Sequence, residues 1–138
     1  MYYRITPLKE NLIYIKWYRA PRPNTHTVKE FITDLQTRLD TASVGLYFIS
    51  DLRQGRIVDM RVIQQLAGLS KHERWAGSTA FSDNPVSNVL VRSFSRFAGQ
   101  PKEHREIWTT PEEAIAYLES VKPGLSDEVD WKTLLDTD

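Results

Sequence analysis

Three times from Gly45 onward, an apolar or aromatic run passes through a short polar loop into the start signal of a helix. Gly45 to Asp51 leads into a helix opening at Asp59, Ala76 to Phe81 leads to Asp83-Asn84-Pro85, and Glu106 to Trp108 leads to Thr110-Pro111-Glu112-Glu113. Strands alternating with helices in this way require right-handed crossovers onto a parallel sheet, whose working loops gather beyond the strand C-termini. The alternation therefore predicts an α/β fold and puts any site on one edge of the sheet.

Upstream of this alternation, Tyr2 to Pro7 reads as a short edge strand and Asn11 to Tyr18 as a stronger one, joined by a hairpin turn at Lys9-Glu10-Asn11. Nearly every position of Leu12-Ile13-Tyr14-Ile15-Lys16-Trp17-Tyr18 is apolar or aromatic, the composition of a strand covered on both faces. Arg19 to His26, with Pro21 and Pro23, breaks regular structure. Thr27-Val28-Lys29-Glu30 has the pattern of a capping box, in which threonine and glutamate satisfy each other's unpaired amides.

Val28, Phe31, Ile32, Leu35 and Leu39 then follow at helical spacing as one apolar stripe. The strand from Gly45 looks central. A second helix, Asp59 to Ser70, puts Met60, Ile63, Leu66 and Ala67 on one face. A third is expected from Pro85 to about Phe97, with Val86, Val89, Leu90, Phe94 and Phe97 inward and Gly99 as its stop. His104 to Thr109 is the last strand, and Pro111 to about Val121 the fourth helix.

The expected fold is thus one α/β domain, a mixed, mostly parallel sheet of four to five strands with four helices packed against it. It covers residues 1–122, and residues 123–138 form an acidic tail or a short docked helix. The chain has 138 residues, enough for one core that removes about two thirds of the unfolded surface from water. Formal charge is zero, but the segment from Pro123 holds Asp127, Glu128, Asp130, Asp136 and Asp138 against Lys132 alone. The remainder carries a surplus of four positive charges, too small for a nucleic-acid footprint.

There is no cysteine, so disulfides, thiolate catalysis and thiolate metal sites are excluded together. No apolar stretch is long enough for membrane insertion, and Met1-Tyr2-Tyr3-Arg4 lacks the charged-then-apolar plan of a signal peptide. The expected location is the cytoplasm.

Ser50-Asp51-Leu52-Arg53-Gln54-Gly55-Arg56 is the leading site candidate. It leaves a central strand and enters a helix N-terminus, where unpaired amides, two guanidinium groups and a glycine suit a phosphate or carboxylate. The other reading of the same residues is that Asp51 pairs with one arginine and the loop is solvated. Arg61, one turn on, has the same two readings as a partner contact or a solvated residue. Ser82, Asp83 and Asn84 belong at the same edge, either positioning a ligand or capping a helix.

The three histidines, His26, His72 and His104, lack metal-ligand spacing, and no Gly-x-Ser-x-Gly nucleophile elbow occurs. No catalytic residue, metal or cofactor is expected. Tyr2, Tyr3, Tyr14, Trp17 and Tyr18 supply more aromatic bulk than one core face needs, which motivates an apolar ligand pocket or a homodimer contact.

In the order of its elements, the chain resembles the STAS superfamily, named for sulfate transporters and anti-sigma-factor antagonists. The residues that carry the resemblance are Gly45-Leu46-Tyr47-Phe48-Ile49-Ser50-Asp51-Leu52-Arg53 and Ile107-Trp108-Thr109-Thr110-Pro111-Glu112-Glu113-Ala114-Ile115-Ala116-Tyr117-Leu118. The second segment is similar to the ending of the small bacterial proteins described as stage II sporulation anti-sigma-antagonist-like.

That resemblance implies a non-catalytic regulatory module of the bacterial cytoplasm that docks a protein through its second helix and the preceding loop. It also implies a phosphorylated serine at that helix start, and here the chain departs. Gln54-Gly55-Arg56-Ile57-Val58-Asp59 contains no serine, and Ser50, the nearest hydroxyl, stands at the strand end. The phosphoswitch is not carried over. Two alternatives remain beside the docking module: a binder of a small anionic or lipid-like ligand at the strand C-terminal edge, and a hydrolase built on Asp51 with Ser82 or Asp83.

Overall fold

The structure is a computed structural model that describes residues 2–20, 26–55, 60–84 and 107–136, residue 60 by its backbone alone. Among the described residues, five strands form one sheet in sequence order: β1 (Tyr3–Lys9), β2 (Leu12–Trp17), β3 (Leu46–Asp51), β4 (Trp75–Phe81) and β5 (Ile107–Trp108). β1 and β2 are an antiparallel hairpin with an irregularity between Pro7 and Lys9, and every later neighbour is parallel. β3 is central and β1 lies at an edge, as the sequence predicts. The exit turns of β2, β3, β4 and β5 consequently share one rim.

Four helices are described: α1 (His26–Thr41), α2 (Met60–Leu69), α3 (Pro111–Val121) and α4 (Trp131–Asp136). α1 and α2 join successive parallel strands stepping in one direction, so a constant crossover hand puts both on the same face. Their stripes, Phe31, Leu35 and Leu39 with Ile63 and Ala67, close over Ile13, Ile15, Trp17, Phe48 and Leu52. The alternate residues of the same strands, Leu12, Tyr14, Ile49 and Phe81, pack against Ala114 and Leu118 of α3. This two-sided covering explains why β2 is buried at every position.

The start of α1 corrects one expectation. The helix is already formed at His26, so Thr27 stands inside the first turn rather than at the cap. Thr110 does cap α3: the Glu113 amide donates to Thr110 Oγ1 at 3.3 Å, and that hydroxyl donates in turn to Glu113 Oε1 at 3.0 Å, so the carboxylate holds the capping side chain and not the Thr110 amide. The helix expected from Pro85 to Phe97, and the start of the last strand at His104, lie outside the described residues. Among the described residues, no helix is long and apolar enough to cross a membrane.

Beyond α3, Gly124 at φ 87° and Glu128 at φ 65° turn the chain back onto the sheet. Trp131, Leu134 and Leu135 of α4 pack on the Leu12–Tyr14–Phe81 cluster without any α4 residue becoming fully buried.

Candidate functional site

Three backbone hydrogen bonds lace the rim together. Leu52 N donates to Phe81 O at 3.1 Å, Ser82 N to Trp108 O at 2.9 Å, and Gly55 N to Trp17 O at 2.9 Å. The first two continue the sheet pairing past a strand end, and the third folds the loop after β3 back onto the last residue of β2, so the ends of β2, β3 and β4 are held side by side. Gly55 makes the last of these possible: a Cβ there would lie 2.4 Å from Trp17 Cβ and 2.6 Å from the Trp17 carbonyl carbon. Any larger residue would force two backbone segments apart.

Within this rim, Asp51 is the organising charge. Its carboxylate is fully buried and accepts from the Tyr14 phenol at 2.5 Å, from Arg53 Nε at 2.9 Å, from Arg53 NH2 at 2.7 Å and from the Arg53 amide at 3.1 Å. Burial opposes ionisation and is the largest single influence on Asp51. The Arg53 side chain, the Tyr14 phenol and the Arg53 amide together outweigh it and hold the carboxyl below its ordinary range. Tyr14 responds oppositely. Burial first, then the bond to Asp51, pushes its phenol far above the ordinary value. The same NH2 of Arg53 also donates to the Leu135 carbonyl of α4 at 2.8 Å, while the guanidinium carbon lies 5.4 Å from the Phe81 ring centroid.

The pairing reading of Asp51 is therefore the one the geometry realises. Arg53 has a bidentate carboxylate partner in place, and a free anion would have to compete with it.

The remaining candidates do not converge. Ser50 and Asp51 adjoin in sequence but face opposite sides of the sheet, because strand side chains alternate; Ser50 looks toward α1 and α2 with Phe48 and Leu52. Arg61 is exposed on α2, on that same side. The Ser82 hydroxyl is buried and accepts from the Asn84 amide at 3.1 Å, closing a local turn, while Asp83 is exposed. Arg56 lies outside the described residues.

His72 is a bridge rather than a base. Its Nδ1 accepts from the Arg74 amide at 3.0 Å, so the proton sits on Nε2, which meets Asp40 Oδ1 at 2.9 Å and ties α1 to the loop before β4.

Two members of the Asp51 network escaped sequence reasoning. Tyr14 lies 37 positions from Asp51, and only the β2–β3 register brings them together. The Leu135 carbonyl has no side-chain signature at all. Lys16, inside the apolar run of β2, is itself buried; it is the register partner of Asp51, with its ammonium 5.2 Å from the Tyr18 ring.

On the opposite face, the described residues line a cavity of about 60 Å³ between Trp17, Phe31, Phe48 and Trp75, with Ser50 and Ser78 as its polar wall. Pockets that engulf a small-molecule ligand are roughly 300–1,000 Å³.

With this geometry in place, comparison with solved structures finds the anti-sigma factor antagonist SpoIIAA in its unphosphorylated form, at a TM-score of 0.62 over 86% of this chain and 96% of that one. The fold is STAS-like. Sequence identity is 13%, so the likeness concerns architecture alone. No protein-family model matches the sequence, and no curated protein matches it. The single α/β domain with a mixed, mostly parallel sheet and helices packed against it, expected from the sequence, is that fold, with Asp51 ending its central strand and Arg53 in the loop that follows.

Proposed function

We propose that this protein is a non-catalytic regulatory module that docks a protein partner on the outward side of α2 and its preceding loop. The observation that carries the reading is the closure of the Asp51 network. A hydrolase needs a base free to take a proton, and an anion receptor needs an unengaged guanidinium. Asp51 and Arg53 instead neutralise each other and brace the rim. Outside it, α2 presents Arg61, Gln64, Gln65 and Gly68 to solvent, and a shallow groove toward Lys29, Thr33 and Gln36 of α1 runs beside them. A STAS-like fold shared with an anti-sigma factor antagonist fits such a role.

Self-association has weaker support. Tyr3, Trp17 and Phe31 pack together in tilted and edge-to-face contacts with centroids 4.7–5.0 Å apart, and Tyr14 is engaged by Asp51, so much of the aromatic surplus is used within one molecule.

The test is crosslinking of the tagged full chain in its native cell, beside the double variant Arg61→Glu/Gln65→Glu. A partner recovered with the wild type and depleted at least tenfold with the variant supports α2 docking. Equal recovery with both places the interface elsewhere.

A further inference from the structure

We infer that β1 is a self-pairing edge: a second copy of this chain adds antiparallel to residues 3–7 around a two-fold axis at Ile5, so that one sheet runs through both molecules. The inference rests on the backbone of β1 and not on the aromatic residues weighed above. It involves no residue of α2, so it stands whether or not that helix docks a partner.

The outward groups of β1 follow from its pairing with β2. The Tyr18 amide donates to the Tyr2 carbonyl at 2.7 Å, which makes these two a hydrogen-bonded pair one step before the Tyr3–Trp17 register. Such pairs alternate along an antiparallel ladder, so Arg4 and Thr6 also direct their backbone groups to β2, whereas Tyr3, Ile5 and Pro7 turn theirs away from it. Among the described residues no strand lies beyond β1, and these groups form an open edge. Pro7 agrees with that parity, because its missing amide falls at an outward position and breaks no bond to β2. An open edge is a template for another strand.

The residues along the edge select its occupant. With the axis at Ile5, the Ile5 amides and carbonyls of the two copies bond reciprocally, and each Tyr3 amide donates to the Pro7 carbonyl of the other copy. Every outward amide then has an acceptor. Arg4 stands opposite Thr6, and Tyr2, an exposed aromatic in the single chain, reaches the Leu8 end of the other strand. Neighbouring registers are poorer: an axis at Arg4 sets that guanidinium against its own copy, and one at Thr6 brings Tyr3 against the irregularity before Lys9.

The helix beside the edge has the same self-complementarity. Tyr2, Tyr3 and Ile5 line an open groove of about 520 Å³ with Glu30, Asp34 and Arg38 of α1. α1 returns antiparallel to β2 and β3 and therefore runs in the direction of β1, so a two-fold at Ile5 reverses it as well. The acidic Glu30 end of one helix then faces the basic Arg38 end of the other. A contact of this kind uses the same patch on both copies and closes on itself, so the assembly stops at a dimer.

The experiment is sedimentation of the full chain from low to high micromolar concentration, beside Thr6→Arg and Arg4→Glu/Thr6→Arg, with circular dichroism and melts to verify folding. Position 6 faces position 4 of the other copy at this register, so Thr6→Arg opposes guanidinium groups on both sides of the axis and weakens the dimer about tenfold. Arg4→Glu/Thr6→Arg turns that repulsion into attraction and restores it. Ile5→Cys supplies a readout independent of charge: it puts the single thiol of a cysteine-free chain on the axis, where opposed Cα atoms lie about 5.5 Å apart, so mild oxidation yields a covalent dimer. A wild type that stays monomeric overturns the inference and leaves the edge to a strand of another polypeptide. A dimer that folded Thr6→Arg does not weaken, or that the double variant does not restore, is formed elsewhere and overturns it too. If the charge variants fail to fold, the absence of a covalent dimer from folded Ile5→Cys decides against it.

Discussion

The Tyr14 phenol on β2 donates to the Asp51 carboxylate on β3 at 2.5 Å, across a parallel strand pair and beneath the helix-covered face. A hydrogen bond to a buried charge contributes about 1.5–3 kcal/mol, more than a neutral pair, because the acceptor has no water to fall back on. Tyr14→Phe keeps the ring and its packing and removes only this donor. The expected loss is about 2 kcal/mol in urea denaturation, with an unchanged denaturant slope. A loss under about 0.5 kcal/mol would mean that Arg53 alone satisfies Asp51.

The same pair sets a pH window for stability. Asp51 has a lowered carboxyl value when folded, so its contribution is present above the ordinary value and fades as pH falls below about 4, through the folded value. Tyr14 has a raised value when folded, so its contribution is complete below about pH 10 and is lost as pH rises beyond it. Asp40, Glu119 and Asp130 are also lowered and Tyr3 is also raised, so the whole-protein curve mixes several groups. The diagnostic is the difference curve. Asp51→Asn should flatten the acid limb relative to wild type, and Tyr14→Phe the alkaline limb, in melts recorded from pH 2 to 11. Parallel curves would sink the assignment.

At the start of α3, the Thr110 hydroxyl accepts from the Glu113 amide, which would otherwise have no partner in the first turn. Thr110→Ala should cost about 1 kcal/mol, and Glu113→Ala less, since the Glu113 carboxylate only holds the capping hydroxyl in place. Chemical denaturation of both variants checks the order. A Glu113 effect exceeding that of Thr110 would show that the carboxylate acts elsewhere.

What was legible in the sequence was whatever short-range pattern encodes. Period-two and helical spacings located the strands and helices, and Thr110-Pro111-Glu112-Glu113 announced a helix start that the structure realises. The fold followed from the order of those elements. The site was legible only as a region, because its bonds depend on register: nothing local in Leu12 to Trp17 says that Tyr14 rather than Trp17 will meet Asp51. Ser50 and Asp51 looked like one site as neighbours, yet the pleat sends them to opposite faces. A backbone carbonyl such as that of Leu135 has no sequence signature, so the link between Arg53 and α4 was out of reach.

Gly55 and Gly68 provide a matched pair in which the same substitution should act with opposite sign. At Gly55, an added methyl meets Trp17 at 2.4 and 2.6 Å and the Arg19 carbonyl at 2.8 Å, mostly backbone that cannot swing away. Gly55→Ala should therefore cost about 1–3 kcal/mol, as overpacking does, and weaken the 2.9 Å bond from Gly55 N to Trp17 O. Gly68 lies exposed within α2, and an added methyl there meets nothing within 4 Å. Gly68→Ala should stabilise by about 0.5–1 kcal/mol, since alanine restricts the unfolded chain and favours helix. Paired urea titrations give both numbers. If the two variants moved the midpoint in the same direction, the close approach of the β3 exit loop to β2 would be wrong, because backbone preference alone offers no reason for Gly55 to be irreplaceable.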